Sequence, residues 1–184
     1  MINFRSKLRR ELFCYYFTNP AASHYLRELA QRLAADPANL SRELASLEQQ
    51  GLFVSETRGR QKYFRLNRRH PLYQDYRRIV FKTVGVAGRL REVLARTPGV
   101  QQAFLYGSFA RDQADAVSDI DLFIVGLTDD EQLETAIGKI ERQLHREVNY
   151  VLMTPREFKT RLADKDAFLE DVFRHSTVTL LPAP

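Results

Sequence analysis

Two aspartates, Asp119 and Asp121, open the run DIDLFIV at residues 119–125. In an extended strand their side chains leave from one face, while Ile120 and Leu122 turn the other way, toward a core. Neighbouring carboxylates repel each other, and taking them out of water costs more still. A cation held between them removes both penalties. Two oxygen donors select a hard ion, Mg²⁺ or Mn²⁺, which keeps part of its water and reaches out to phosphates. The plainer alternative is a chance pair of surface aspartates.

A second group stands upstream. Val100 to Tyr106 reads as a strand that stops at Gly107-Ser108. Glycine there permits a tight turn and lets a phosphate approach the backbone. A helix expected from Ser108 to about Gln113 would aim N–H groups at an anion. The Ser108 hydroxyl can donate to a phosphate oxygen, and Arg111 adds positive charge one turn later.

The elements that position these residues alternate. Strands are expected at 100–106, 120–125, 148–153 and 177–181, and helices at 129–146, 155–162 and 166–174. Such alternation makes residues 99–184 an α/β or α+β domain.

The stretch GSFARDQADAVSDIDLFIV resembles the signature of minimal nucleotidyltransferases of the DNA polymerase β-like superfamily, and the resemblance extends over residues 100–181. It implies transfer of a nucleoside monophosphate from an NTP, with ATP the expected one, to an acceptor. Gly107 and Ser108 would hold the terminal phosphates, and Asp119 and Asp121 the metal. There are two departures. Asp112 replaces the family's glycine after Ala-Arg. The third carboxylate, expected on the next strand, is Asn149 in REVNYVLM. An amide ligates metal weakly and cannot serve as a general base. Glu147, two residues earlier on the same face, is the candidate substitute. Nucleotide and metal binding are therefore expected ahead of turnover. Members of this family also pair, as antitoxins, with a helical toxin, which implies a protein partner.

The first half reads differently. Helices are expected at Ser6–Phe17, at Tyr25–Ala34 and from Asp36-Pro37 to Gly51, followed by a hairpin with Gly59 at its tip. Residues 26–67 resemble the winged helix-turn-helix of bacterial transcription regulators, which implies a double-stranded DNA partner. Leu40, Leu44 and Leu47 then face the core, and Asn39, Arg42, Glu43 and Ser46 face outward. Asn39 and Arg42 are candidates for reading bases, assisted by Ser41, while Arg58, Arg60 and Lys62 would grip phosphates. A helical protein-interaction module is the alternative. Residues 71–98 are expected to form one long connecting helix, weakened by about 1 kcal/mol at each of Gly85 and Gly88. Close helix contact at these glycines suggests a homodimer.

Charge follows the same division. The 184 residues carry a net charge of +5. Residues 1–70 hold 13 Lys/Arg against 6 Asp/Glu, and residues 71–184 hold 15 against 17. A basic first half suits a polyanionic partner. The single cysteine, Cys14, cannot close an internal disulfide and reads as a buried side chain in a reducing cytoplasm. No apolar run is long enough to span a membrane. The start MINFRSKLRRELF lacks the pattern of a signal peptide. The four histidines have no metal-ligand spacing.

The expectation is an α+β chain: a winged helix-turn-helix over 1–70, a connecting helix over 71–98 and a nucleotidyltransferase-like domain over 99–184. Its functions are DNA-binding regulation with a domain that binds Mg-NTP, nucleotidyl transfer by an enzyme that the first domain recruits, or protein interaction alone.

Overall fold

The computed structural model describes residue 4 and residues 6–115 and 118–182. Part of the start on which the signal-peptide expectation rests lies outside them. The chain is a mixed α+β protein of two compact units, Met1–Val86 and Ala87–Pro184.

In the first unit, α1 (Lys7–Thr18) starts at Ser6, whose hydroxyl accepts from the Arg9 N–H at 3.4 Å. A two-residue strand, β1 (His24–Tyr25), leads into α2 (Leu26–Arg32). Asp36 caps α3 (Pro37–Gln49) by accepting from the Asn39 N–H at 2.8 Å, with Pro37 in the first turn where a missing N–H costs nothing. The strands β2 (Phe53–Arg58) and β3 (Gln61–Leu66) pair antiparallel with Arg58 opposite Gln61. Only Gly59 and Arg60 make the turn, and Gly59 takes a φ of 62° that suits glycine. Sequence patterning misses β1, because two residues carry no periodicity; it completes the sheet order β1-β3-β2. Leu12, Tyr16, Leu29, Leu40, Leu44, Leu47, Phe53 and Leu66 fill the core, and the Tyr16 hydroxyl donates to the Phe64 carbonyl at 2.8 Å.

The single helix expected over 71–98 is two helices, α4 (Tyr73–Thr83) and α5 (Val86–Leu94). The break is at Val84-Gly85. The Gly85 N–H donates to the Val80 carbonyl at 2.6 Å, and a Cβ on Gly85 would lie 2.8 Å from that oxygen. The backbone at Gly85 therefore passes closer to the Val80 carbonyl than a side chain permits, and the division between units falls directly after.

In the second unit, β4 (Val100–Tyr106) runs into α6 (Gly107–Ala110). Then come β5 (Ile120–Gly126), α7 (Asp130–Leu144), β6 (Val148–Met153), α8 (Pro155–Ala163), α9 (Ala167–Arg174) and β7 (Val178–Leu181). The sheet order is β6-β5-β4-β7. The pair β5–β6 is parallel, with α7 as its crossover, and the remaining pairs are antiparallel. Strand β5 is buried on both faces from Leu122 to Val125, as its unbroken apolar run requires. On one face Phe123 sits within an aromatic group with Phe104, Phe158, Phe168 and Phe173. Among the described residues no helix is long and apolar enough to cross a membrane.

Candidate functional site

The end of β4 and the beginning of β5 meet in one corner. Across this antiparallel pair Tyr106 stands opposite Asp121, and across the parallel pair Asp121 stands beside Asn149. Gly107 follows with a φ of 69°, and a Cβ built on it would lie 2.0 Å from Asp121 Oδ2. Glycine is needed here twice over, for the backbone angle and for the carboxylate that fills its missing side-chain space. The turn read as a phosphate cradle and the strand read as a metal site are thus in direct contact.

The two aspartates differ in setting. Asp121 lies within β5 and is half-buried; burial first, and then the Asp119 charge, push its carboxyl above the usual range, and Arg111 pulls it back. Asp119 precedes the strand and is exposed, with its Oδ2 accepting from Asn149 Nδ2 at 3.4 Å. Both Asp119 and Asn149 therefore stand beside Asp121, one by sequence and one by register. Tyr106 was not singled out from sequence. Burial, and then Asp121, push its hydroxyl upward, so it stays protonated beside the carboxylate. A tyrosine in a strand carries no signal of its own; only the antiparallel register reveals it.

One expectation changes. The helix behind Ser108 is a single turn, Gly107–Ala110, and does not reach Gln113. Arg111 is its C-cap residue, and the guanidinium Nε donates to Gln113 Oε1 at 3.3 Å. Glu147 lies outside β6, where its backbone carbonyl accepts from the Ile120 N–H at 3.0 Å.

Metal fit can be judged from the donors present. Among the described residues no group of three or more His, Cys, Asp and Glu gathers as a metal site. Two carboxylates and one amide do converge. That set suits a hard divalent ion which takes its remaining oxygens from water and nucleotide phosphates. It does not suit a closed protein cage.

In the first unit, Asn39, Ser41 and Arg42 are exposed on α3, and Arg58, Arg60 and Lys62 are exposed on the β2–β3 hairpin. Most of these polar groups already have partners. Arg42 donates to Asn39 Oδ1 at 2.6 Å. Arg58 pairs with Glu56 at 3.2 Å and lies over the Tyr63 ring. Lys62 pairs with Glu48 at 2.7 Å, and this bond, followed by one from Ser55, holds the Glu48 carboxyl below its ordinary range. Glu43, expected to face outward, is half-buried in an ion pair with Arg9 of α1.

Residues 89–171 match the family described as Polymerase beta, Nucleotidyltransferase. The second unit thus carries a nucleotidyltransferase-like domain. No curated protein sequence matches the chain. Similar solved structures include a toxin-antitoxin with AMP-PNP, at 18% identity and a TM-score of 0.40 over 53% of this chain and 73% of that one. The MntA-HpeT toxin-antitoxin mutant is similar at 16% identity and a TM-score of 0.40, over 53% and 74% of the two chains. A candidate nucleotidyltransferase from Sulfolobus solfataricus is similar at 23% identity and a TM-score of 0.27, over 40% and 68%.

Proposed function

We propose that this protein is a nucleotidyltransferase that binds a divalent ion with an NTP and passes a nucleoside monophosphate to a hydroxyl on a partner macromolecule, with a partner protein as first candidate. One observation carries the reading: the Asp121 carboxylate occupies the side-chain space of Gly107 within a domain that matches the nucleotidyltransferase family. Asp119 and Asp121 hold the ion, and Gly107 and Ser108 hold the terminal phosphates. Arg111 adds positive charge at the phosphate end. A divalent ion held there would supply charge neutralisation for the triphosphate; the acceptor oxygen would bond to the α-phosphorus in line as the α–β phosphoanhydride bond breaks and pyrophosphate leaves. The Tyr106 hydroxyl, protonated, remains a donor beside Asp121. Asn149 orients Asp119 through its amide N–H, but takes no proton from the acceptor. In this reading transfer is slow unless the acceptor's own surroundings remove that proton.

The first unit serves as the recruiting module. Its α2–α3 pair followed by the β2–β3 hairpin supports a winged helix-turn-helix, with Asn39, Ser41 and Arg42 toward base edges and Arg58, Arg60 and Lys62 toward phosphates. A second reading follows from Asn149. An amide in register with Asp121 favours binding over turnover. On that reading the protein is a DNA-binding regulator, paired as a homodimer, whose second unit senses Mg-NTP.

Label transfer separates the two. The 184-residue chain is incubated with Mg²⁺, α-labelled ATP and candidate acceptors. Transfer that disappears in Asp119→Ala supports the enzyme. Nucleotide binding without transfer, in wild type and with every acceptor, supports the sensor.

A further inference from the structure

The loop between α7 and β6 carries an arginine that the catalytic reading leaves without a role. His145 caps α7 in the left-handed conformation, with a φ of 53°. Arg146, the next residue, reaches back across the chain. Its Nη1 donates to the Ser118 carbonyl at 2.9 Å and its Nη2 to the Asp115 carbonyl at 2.9 Å. The guanidinium carbon lies 5.9 Å from the centre of the Phe109 ring. Phe109 is buried and follows Ser108 in the phosphate turn.

These contacts bracket Asp119. The residue before it is held by the Arg146 side chain, through the Ser118 carbonyl. The residue after it is held by the neighbouring Glu147 backbone, which accepts from the Ile120 N–H at 3.0 Å. Asp119 itself lies outside β5, so the strand ladder does not fix it, and its carboxylate accepts from Asn149 at 3.4 Å. A planar guanidinium with two parallel donors suits two carbonyls and an aromatic face at once, which an ammonium cannot match.

We propose that Arg146 is a positioning residue: it ties the phosphate turn, through Phe109, to the backbone that aims Asp119, and so sets the affinity for the metal–nucleotide pair. This rests on the reading that Asp119 and Asp121 hold the nucleotide's metal. Removing groups that orient metal ligands costs about 10- to 100-fold in metal affinity.

The test is Mn²⁺ binding to the full chain, followed by electron paramagnetic resonance, with and without a saturating non-hydrolysable ATP analogue. Thermal melting is recorded in parallel. Arg146→Ala should weaken Mn²⁺ binding in the presence of nucleotide by about 10- to 100-fold. Arg146→Lys, which can hold one carbonyl, should recover part of that loss. Should the alanine variant fail to fold, Arg146→Lys decides alone: it should weaken Mn²⁺ binding measurably, by less than the about 10- to 100-fold expected of the alanine variant. A folded Arg146→Ala within twofold of wild type overturns the proposal, as does an unchanged Arg146→Lys when the alanine variant does not fold. So does a lysine variant as impaired as alanine when both fold. If wild type takes up no Mn²⁺ with nucleotide, the underlying metal–nucleotide reading fails instead.

Discussion

Asn149 and Asp121 are partners in the parallel β5–β6 register, and the Asn149 amide donates to Asp119 at 3.4 Å. The amide thus supplies a partial positive charge where a third carboxylate would add a negative one. Asn149→Asp should reverse that. In a chelator, three neighbouring carboxylates repel, and the melting temperature should fall; with Mg²⁺ it should recover beyond the wild-type gain. Calorimetric melts with and without Mg²⁺ check this. Label transfer should rise in the same variant if the enzyme reading holds.

Asp121→Asn should act in the opposite sense. The Asp121 carboxyl titrates above its ordinary value because of burial, then Asp119. The folded state therefore binds this proton more tightly than the unfolded one. Without metal, the group's contribution to stability falls as pH rises from the ordinary carboxylate range through the raised folded value. The asparagine variant should melt higher than wild type near neutral pH in a chelator, and the gap should close in acid. It should also lose metal–nucleotide binding. A variant that melts lower at every pH contradicts this.

Gly107→Ala combines two penalties. The left-handed backbone costs an L-residue about 1–2 kcal/mol, and the new Cβ meets the Asp121 carboxylate at 2.0 Å. Denaturant unfolding should show a loss of at least that size. Nucleotide binding should fall with it, since Asp121 must move.

Gly85→Ala distinguishes sequence expectation from structure. A glycine within one continuous helix would gain about 1 kcal/mol of stability on becoming alanine. The break at Val84-Gly85 brings the Val80 carbonyl to 2.8 Å from the added Cβ, so the structure instead predicts a loss. Equilibrium unfolding gives the sign directly.

Glu48→Gln tests the proposed DNA contact. Glu48 accepts from both Lys62 and Ser55. Freeing Lys62 should tighten binding to any duplex and steepen the salt dependence by about one unit of slope per phosphate gained. Filter binding across salt concentrations checks it. An unchanged slope would leave Lys62 away from the phosphates.

Much of this fold was legible because its signals are local. Asp36-Pro37 marks a helix start through capping chemistry, and the 3.6-residue spacing of Leu40, Leu44 and Leu47 marks the buried face. The DIDLFIV run identifies β5, buried on both sides. What escaped depends on distant pairing. β1 exists because His24 and Tyr25 meet Phe64 and Tyr63. Tyr106 gains meaning only from the register that puts Asp121 opposite it. Arg146 sits between two elements, and no spacing rule connects it to Ser118. The helix break escaped because propensity weighs Gly85 only as a weak helix former, whereas its N–H reaches back five residues to Val80 and ends the regular i→i−4 ladder.

The central claim is that Asp119 and Asp121 hold a divalent ion together with an NTP. Titration calorimetry of the full chain with Mg²⁺ and each common NTP tests it most directly. Saturable one-site heat that requires Mg²⁺ and disappears in Asp121→Asn is the predicted result. No heat with any of the nucleotides, or equal heat from the variant, would contradict it.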